Sequence, residues 1–427
     1  MKKFLLTVIS LVFLSQTAFA DLTVINTNTG ETTAATTDLV EHVELSSIHG
    51  ITSGDWLILY SVGATVDSNS TAYVRINVEK NDALVTNQFS SEPNSPSTAR
   101  KSPFQWWYFN DGGLSTDNFQ IKVSTNGTQA VRCSNGGIAG IYLGDLVQDT
   151  DFVIGAAEPG TDIDTASSAT FIDAETITIP ANNSGKNWLI FGRYVLQAGA
   201  VGGTGNGRSR FFIDDTTAVM ENTRFDAEDA NDRYPFMQMY VYTVPDNNTH
   251  TIDFQYSVGS TGSDIIDANI IGINLDELTA IYDFESGEAD ETNSDETVFI
   301  DYAGAAKSVN FSSAGEYLLL GTIAGGNTTA ITNGYNAQLL FDNTTAYMTR
   351  LFDPNSTASL ERWPNLFLNQ QTIVTPGSKD VDVQYRPEDD ASTATTDHGA
   401  MVVIGEASAA VADTTIQGAT LQGSTLN

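Results

Sequence analysis

Side chains able to do chemistry are scattered through this 427-residue chain, and few of them fall into a recognisable pattern. The four histidines, His42, His49, His250 and His398, share no repeat position, and none pairs with another at metal-ligand spacing. They read as solvated turn residues. Serine and aspartate are abundant, but there is no G-x-S-x-G elbow. The single cysteine, Cys133, lies in no nucleophile signature. The glycine cluster Gly199–Gly207 carries no lysine and opens no helix, so it is not a phosphate loop. Carboxylates are too many to nominate a catalytic pair, because pairing depends on distance. The expectation is a protein that is not an enzyme, with an exported hydrolase or lyase as the remaining enzymatic possibility.

Two constellations have chemistry to offer. The first is the aromatic run Phe104-Gln105-Trp106-Trp107-Tyr108-Phe109. On a strand, alternation sends Phe104, Trp106 and Tyr108 to one face and Gln105, Trp107 and Phe109 to the other. Large apolar residues recur at this place along the chain, which favours core packing. An outward ring could still stack on a sugar. Trp107 is the leading candidate platform, with Trp106 and Tyr108 beside it. The second constellation is a pair of acidic tips, Asp214-Asp215 and Asp342-Asn343. Asp and Asn suit tight turns without any ligand. Calcium would need about six to eight oxygens, and Asp214, Asp215 and Asp342 are the residues that could begin such a set. A third, weaker tip, Glu79-Lys80-Asn81-Asp82, brings in a lysine, which counts against a shared ion site.

The elements that carry these residues recur. Phe212–Phe225 reads FIDDTTAVMENTRF and Leu340–Phe352 reads LFDNTTAYMTRLF, sharing D-[DN]-T-T-A-x-M. Ile76–Phe89, INVEKNDALVTNQF, is a fainter copy. Alternating arms around a polar tip predict a β-hairpin. Other landmarks keep the same order. Each copy opens with an apolar pair and an acid, Leu39-Val40-Glu41, Phe171-Ile172-Asp173 and Phe299-Ile300-Asp301. A glycine-led turn then enters strands headed by Trp56, Trp188 and Tyr317. A basic residue precedes Pro103, Pro235 and Pro364 by two positions. One glutamine, Gln120, Gln255 or Gln384, sits in a later strand. A near-continuous apolar run closes each copy, Ile138–Leu143, Ile270–Leu275 and Met401–Ile404. Such runs predict a central strand covered on both faces.

The offsets are too long for a solenoid, whose period is about 20–50 residues, so whole domains repeat. The repeats run 21–149, 150–281 and 282–410, leaving 411–427 as a C-terminal tail and possible assembly strand. Helical periodicity is nowhere sustained. The expected fold is all-β, three tandem antiparallel β-sandwich domains of jelly-roll type. In length and strand rhythm each repeat resembles the jelly-roll modules strung along bacterial surface proteins, pilus-like fibres and phage tail fibres. That resemblance implies a binding or structural role and carries no residue roles with it.

Residues 1–20 read as a cleaved signal peptide: Lys2 and Lys3, an apolar stretch Phe4–Leu14, and Ala18-Phe19-Ala20 before Asp21. No later stretch is apolar enough to span a bilayer. The expected location is extracellular or at the cell surface, with the periplasm as an alternative. One cysteine in an exported chain gives no internal disulfide, and a buried inert thiol is expected. The chain has 19 basic and 53 acidic residues, a formal charge of −34. Such a surface repels nucleic acid and anionic lipid. The functional expectation is a secreted structural or surface protein, three sandwiches in a rod or fibre subunit that self-associates through strand or tail contacts. The alternative is a glycan-binding adhesin that recognises cell-surface polysaccharide.

Overall fold

In a computed structural model, the described residues run from 23 to 406, apart from 29–31, 35–38, 47–53, 67–73, 86–88, 92–99, 102–103, 110–117, 126–129, 156–161, 164–169, 198–204, 228–232, 259–263, 279, 328–333, 353–362 and 391. The proposed signal peptide, His49 and the tail lie outside them. The described residues form antiparallel sheets with no helix, and each repeat uses the same eight strand positions. In the third repeat these are Ala280–Gly287 with Glu291–Asn293, Ile300–Phe311, Gly315–Asn327, Tyr335–Phe341, Thr345–Phe352, Trp363–Ile373, Gly377–Pro387 and Ala394–Glu406. One sheet has the order first–eighth–third–sixth, the other second–seventh–fourth–fifth. That is jelly-roll topology.

The second repeat follows the same scheme. Phe152–Ile154 and Asp162–Ile163 fill its first position, and Asp264–Asn274, Asn187–Gln197 and Arg233–Thr243 complete that sheet. Ile172–Ile179, His250–Val258, Gly205–Ile213 and Thr217–Ala227 form the other. In the first repeat, Thr23–Asn28, Val131–Tyr142, Trp56–Val66 and Phe104–Phe109 make one sheet. Val40–Leu45, Phe119–Thr125, Val74–Lys80 and the short Ala83–Leu84 and Phe89–Ser91 make the other, which continues through the pairing of Ser90 with Arg233 into the second repeat's first sheet. The continuous apolar runs are the eighth strands. They lie in the middle of their sheets and are buried on both faces, as their sequence predicts.

Burial on both faces shapes the whole molecule. In the third repeat, Tyr317, Leu319, Phe367, Met401 and Val403 point into the sandwich and form its private core. The residues between them, Leu318, Leu320, Leu366, Leu368, Val402 and Ile404, join a different core, one they share with the first two repeats. Each first–eighth–third–sixth sheet thus has an outer face that is apolar and covered by neighbouring repeats. The Ser61 hydroxyl donates across this seam to the Leu366 carbonyl at 2.6 Å. The Asn187 side chain donates to the Tyr282 hydroxyl at 3.0 Å, tying the second repeat to the third. The repeats are therefore not strung out as the rod expectation has it. Thr345–Phe352 of the last repeat packs back against Val131–Tyr142 of the first, so the set closes on itself.

The recurring hairpin motif is the device behind this closure. Its two tip residues are left-handed in every copy: Asn81 and Asp82 (φ 53° and 61°), Asp214 and Asp215 (50° and 54°), Asp342 and Asn343 (51° and 54°). Two successive left-handed residues make a tight turn that matches strand twist, which is why Asp and Asn stand there. The methionine six residues after the first tip residue is left-handed too, Met220 at φ 53° and Met348 at φ 50°. It sits where the register between the fourth and fifth strands shifts, a β-bulge that bends the fifth strand. Both side chains then reach the shared core. A Cβ at Gly137 of the first repeat would lie 2.6 Å from the Met348 methyl, so a larger residue there would have to push the tip of this wedge aside.

The landmark acids and glutamines also meet. Gln120 donates to Glu41, Gln255 to Asp173 and Gln384 to Asp301, each at 2.7 Å, clasping the second strand to the seventh. Charge-assisted bonds of this kind contribute about 1.5–3 kcal/mol each. Met220 is 1% exposed, and its truncation tests the wedge. Met220→Ala should destabilise the protein by about 2–4 kcal/mol in urea unfolding, leaving a void in the shared core.

Candidate functional site

The aromatic strand Phe104–Phe109 is the sixth strand of the first repeat, at the edge of its sheet. The alternation is as the sequence predicts. Trp107 points inward and stacks on Tyr60, centroids 4.9 Å apart and planes 14° from parallel, and Phe109 meets Phe119 at 4.7 Å. Trp106 points outward, but the outward face is the seam with the second repeat. Trp106 is 1% exposed and Trp107 4%. The expected sugar platform is thereby corrected, because neither indole face reaches solvent. Tyr108 is half-buried. Its ring lies 5.7 Å from Phe152, and its hydroxyl donates to Asp55 at 3.3 Å.

Against these two tryptophans lies a residue that sequence reasoning passed over. Arg193 comes from the third strand of the second repeat and is 3% exposed. Its guanidinium carbon is 5.3 Å from the Trp106 ring and 5.9 Å from that of Trp107. Nε and Nη1 have no hydrogen-bond partner. Burial pushes its pKa down to about 10, opposed by the nearby carboxylate of Asp267, which is itself buried at a left-handed position in the eighth strand. Beside them, Gln105 donates to the Tyr194 carbonyl at 3.3 Å across the same seam. The signal was there to find: Trp188-Leu189-Ile190-Phe191-Gly192-Arg193-Tyr194-Val195-Leu196 is an apolar strand interrupted by one cation. A charge at the centre of a strand buried on both faces demands a partner.

The acidic tips serve the fold. Asp214 accepts the Thr251 amide at 2.9 Å through one oxygen and meets His250 Nδ1 at 2.7 Å through the other. Asn81 accepts the Asn118 amide in the equivalent place, at 2.9 Å. Asp342 accepts from Lys379 Nζ at 2.6 Å, and Asn343 donates to Asp380 at 2.6 Å. The three calcium candidates are thus divided between two repeats, Asp214 and Asp215 on one and Asp342 on the other, and Asp215 is exposed at its tip. Among the described residues no group of three or more His, Cys, Asp or Glu has metal-holding geometry.

The histidines correct their expectation. His42, His250 and His398 are buried strand residues and not solvated turns. His250 lies between Asp214 and Asp246, 3.1 Å from the latter, and His398 is 2.9 Å from Asp397. His250 begins its strand against the tip residue Asp214, whereas His42 Nδ1 lies 2.9 Å from the Thr32 hydroxyl. Cys133 is fully buried, and burial pushes its thiol up to about 12, so the thiol is inert.

No protein family matches the chain, and no curated protein matches it in sequence. Among solved structures, PNGase F, a glycosylasparaginase from Flavobacterium meningosepticum, overlaps 60% of this chain and 96% of its own at 10% identity and a TM-score of 0.30. The N-terminal tandem CBM22 domain of a Paenibacillus barcinonensis protein overlaps 58% and 93% at 10% identity and a TM-score of 0.19. An archaeal-virus structure described as a triple jelly-roll fold overlaps 89% and 91% at 11% identity and a TM-score of 0.18. Likeness at this level transfers no activity and no residue role.

One carboxylate is placed unusually. Asp382, on the second–seventh–fourth–fifth sheet of the third repeat, is 5% exposed, and burial followed by the charges of Asp301 and Asp380 pushes its pKa up to about 7. The native state thus keeps a proton that the unfolded chain releases near 3.8. Stability should fall as pH rises between these values, and the full cost should stand above 7. Asp382→Asn should therefore stabilise the protein by about 2 kcal/mol at pH 8 and hardly at all at pH 4, read by urea unfolding at both.

Proposed function

We propose that this chain is a non-enzymatic structural subunit of an extracellular or cell-surface assembly, exported through its first twenty residues. The observation that carries this reading is the shared core. Three outward apolar faces, which in separate sandwiches would each need a partner, are consumed within one chain. The result is a pre-assembled unit whose remaining faces are clasped by hydrogen bonds and bounded by rigid turns. Rigidity of that kind suits a building block, since a subunit that does not deform passes its geometry to the assembly. The closed set favours a compact node over a rod. No helix among the described residues is long and apolar enough to cross a membrane. The acidic surface keeps such a unit dispersed until salt screens it, on the Debye scale of about 8–10 Å at physiological ionic strength.

The test is assembly of the chain lacking residues 1–20, followed by light scattering after size exclusion and by negative-stain microscopy. Particles larger than one chain are expected, more abundant in salt and reduced when residues 411–427 are also removed. A strictly monomeric protein at every salt concentration, unaffected by the truncation, would overturn the reading.

A further inference from the structure

We propose that Arg193 fixes which repeat docks on which: by burying its guanidinium over Trp106 and Trp107, it makes the seam between the first and second repeats unlike the others. The three outer sheet faces are otherwise apolar and meet around one core, built mainly from leucine, isoleucine, valine and methionine, with Phe191 on the second and Phe104, Trp106 and Tyr108 on the first. Apolar faces can be covered in the wrong order, or by the same face of another copy.

The third strands pair with the eighth and sixth in equivalent registers, which puts Ser61, Arg193 and Thr322 at one position of the repeat. Ser61 and Thr322 are neutral there, and their hydroxyls donate to the Leu366 and Ala400 carbonyls at 2.6 and 3.4 Å. Arg193 has no such bond at Nε or Nη1. Across the seam its charge meets the pair of indole faces, 5.3 and 5.9 Å away, and the nearby Tyr60 ring that stacks on Trp107. By register the counterparts of Trp106 are Met239 and Leu368. Docked on either of those faces, the guanidinium would be buried against a thioether or an alkyl chain, with no quadrupole to receive it. Asp267 lies in the same repeat as Arg193 and travels with it, so it does not discriminate between partners. A buried polar group used in this way costs stability and specifies arrangement, as a single polar residue does in a coiled-coil seam.

Domain exchange between copies is the readout. Light and heavy isotope-labelled chains are unfolded together, refolded, and examined by native mass spectrometry for oligomers carrying both labels. The same chains mixed after refolding give the background from surface association. Wild type should show no mixed species above that background. Arg193→Met with Asp267→Asn should raise co-refolded mixed species at least about tenfold, because all three faces become neutral. Arg193→Lys, which keeps a cation over the rings, should stay near wild type. Trp106→Leu removes the nearer of the two receiving rings without touching the arginine. It should also raise exchange, and it decides the matter alone if the double variant does not fold. Exchange at wild-type level in a folded double variant or in folded Trp106→Leu would overturn the proposal. So would exchange in Arg193→Lys equal to that of the double variant.

Discussion

The rest of the structure follows from one constraint: the eighth and third strands of every repeat are apolar on both faces. An antiparallel sheet ordinarily turns one face to water and alternates accordingly. Here Leu318 and Leu320 are as apolar as Leu319 between them, and Leu57 and Leu59 as apolar as Ile58. A lone sandwich could bury only one of each set. Each fully buried side chain of this size is worth about 1.5–3 kcal/mol, so leaving a whole face wet would cost more than a domain's net stability. Three sandwiches covering one another solve the problem without a second chain. The separation of the third repeat's interior from the shared core shows the two jobs performed by alternate residues of the same strands.

The hairpin motif can be understood from the same requirement. Its polar tip supplies two left-handed residues, its first threonine closes the turn through its amide, its second begins the return strand, and its methionine occupies a left-handed bulge. The bulge turns the fifth strand toward the neighbouring repeat, and an unbranched side chain with a polarizable sulfur fills the irregular gap there. The Leu368 amide even donates to the Met348 sulfur at 3.3 Å. The tip pair, the threonines and the methionine of D-[DN]-T-T-A-x-M are thus accounted for by backbone geometry or packing. The tip's partners vary with the residue opposite: histidine for Asp214, lysine for Asp342, a backbone amide for Asn81. What persists is the turn, and what changes is the charge around it.

Much of this is legible in the amino-acid sequence, and the reason is period. Alternation, continuous apolar runs and turn residues are local signals, so the all-β class, the hairpins and the central strands follow from them directly. The partnership of Gln255 with Asp173, or of Gln384 with Asp301, does not, although both residues stand out as landmarks. Pairing them requires knowing that the second strand lies beside the seventh. The closed arrangement is hidden for a related reason. Continuous apolarity says that a strand is covered on both sides and does not say by what. Trp106 and Trp107 illustrate the consequence: alternation assigns their faces correctly, while the cover over the outer face comes from a repeat some ninety residues further on. Arg193 is visible as a lone cation in an apolar strand, but its meaning depends on that same seam.

A repeated chain can do something that a trimer of identical subunits cannot. In a symmetric trimer any residue at the position of Ser61, Arg193 and Thr322 would enter the shared core three times. Three guanidiniums there would add their desolvation costs and repel one another through a medium that screens poorly. With three copies in one chain, two positions can carry small hydroxyls while the third carries a charge, matched to tryptophans that only one neighbour supplies. The divergence among the repeats is therefore not spread evenly over their surfaces. Near the seam it includes a charge that is tolerable only because it occurs once, and the covalent order of the repeats makes a single occurrence possible.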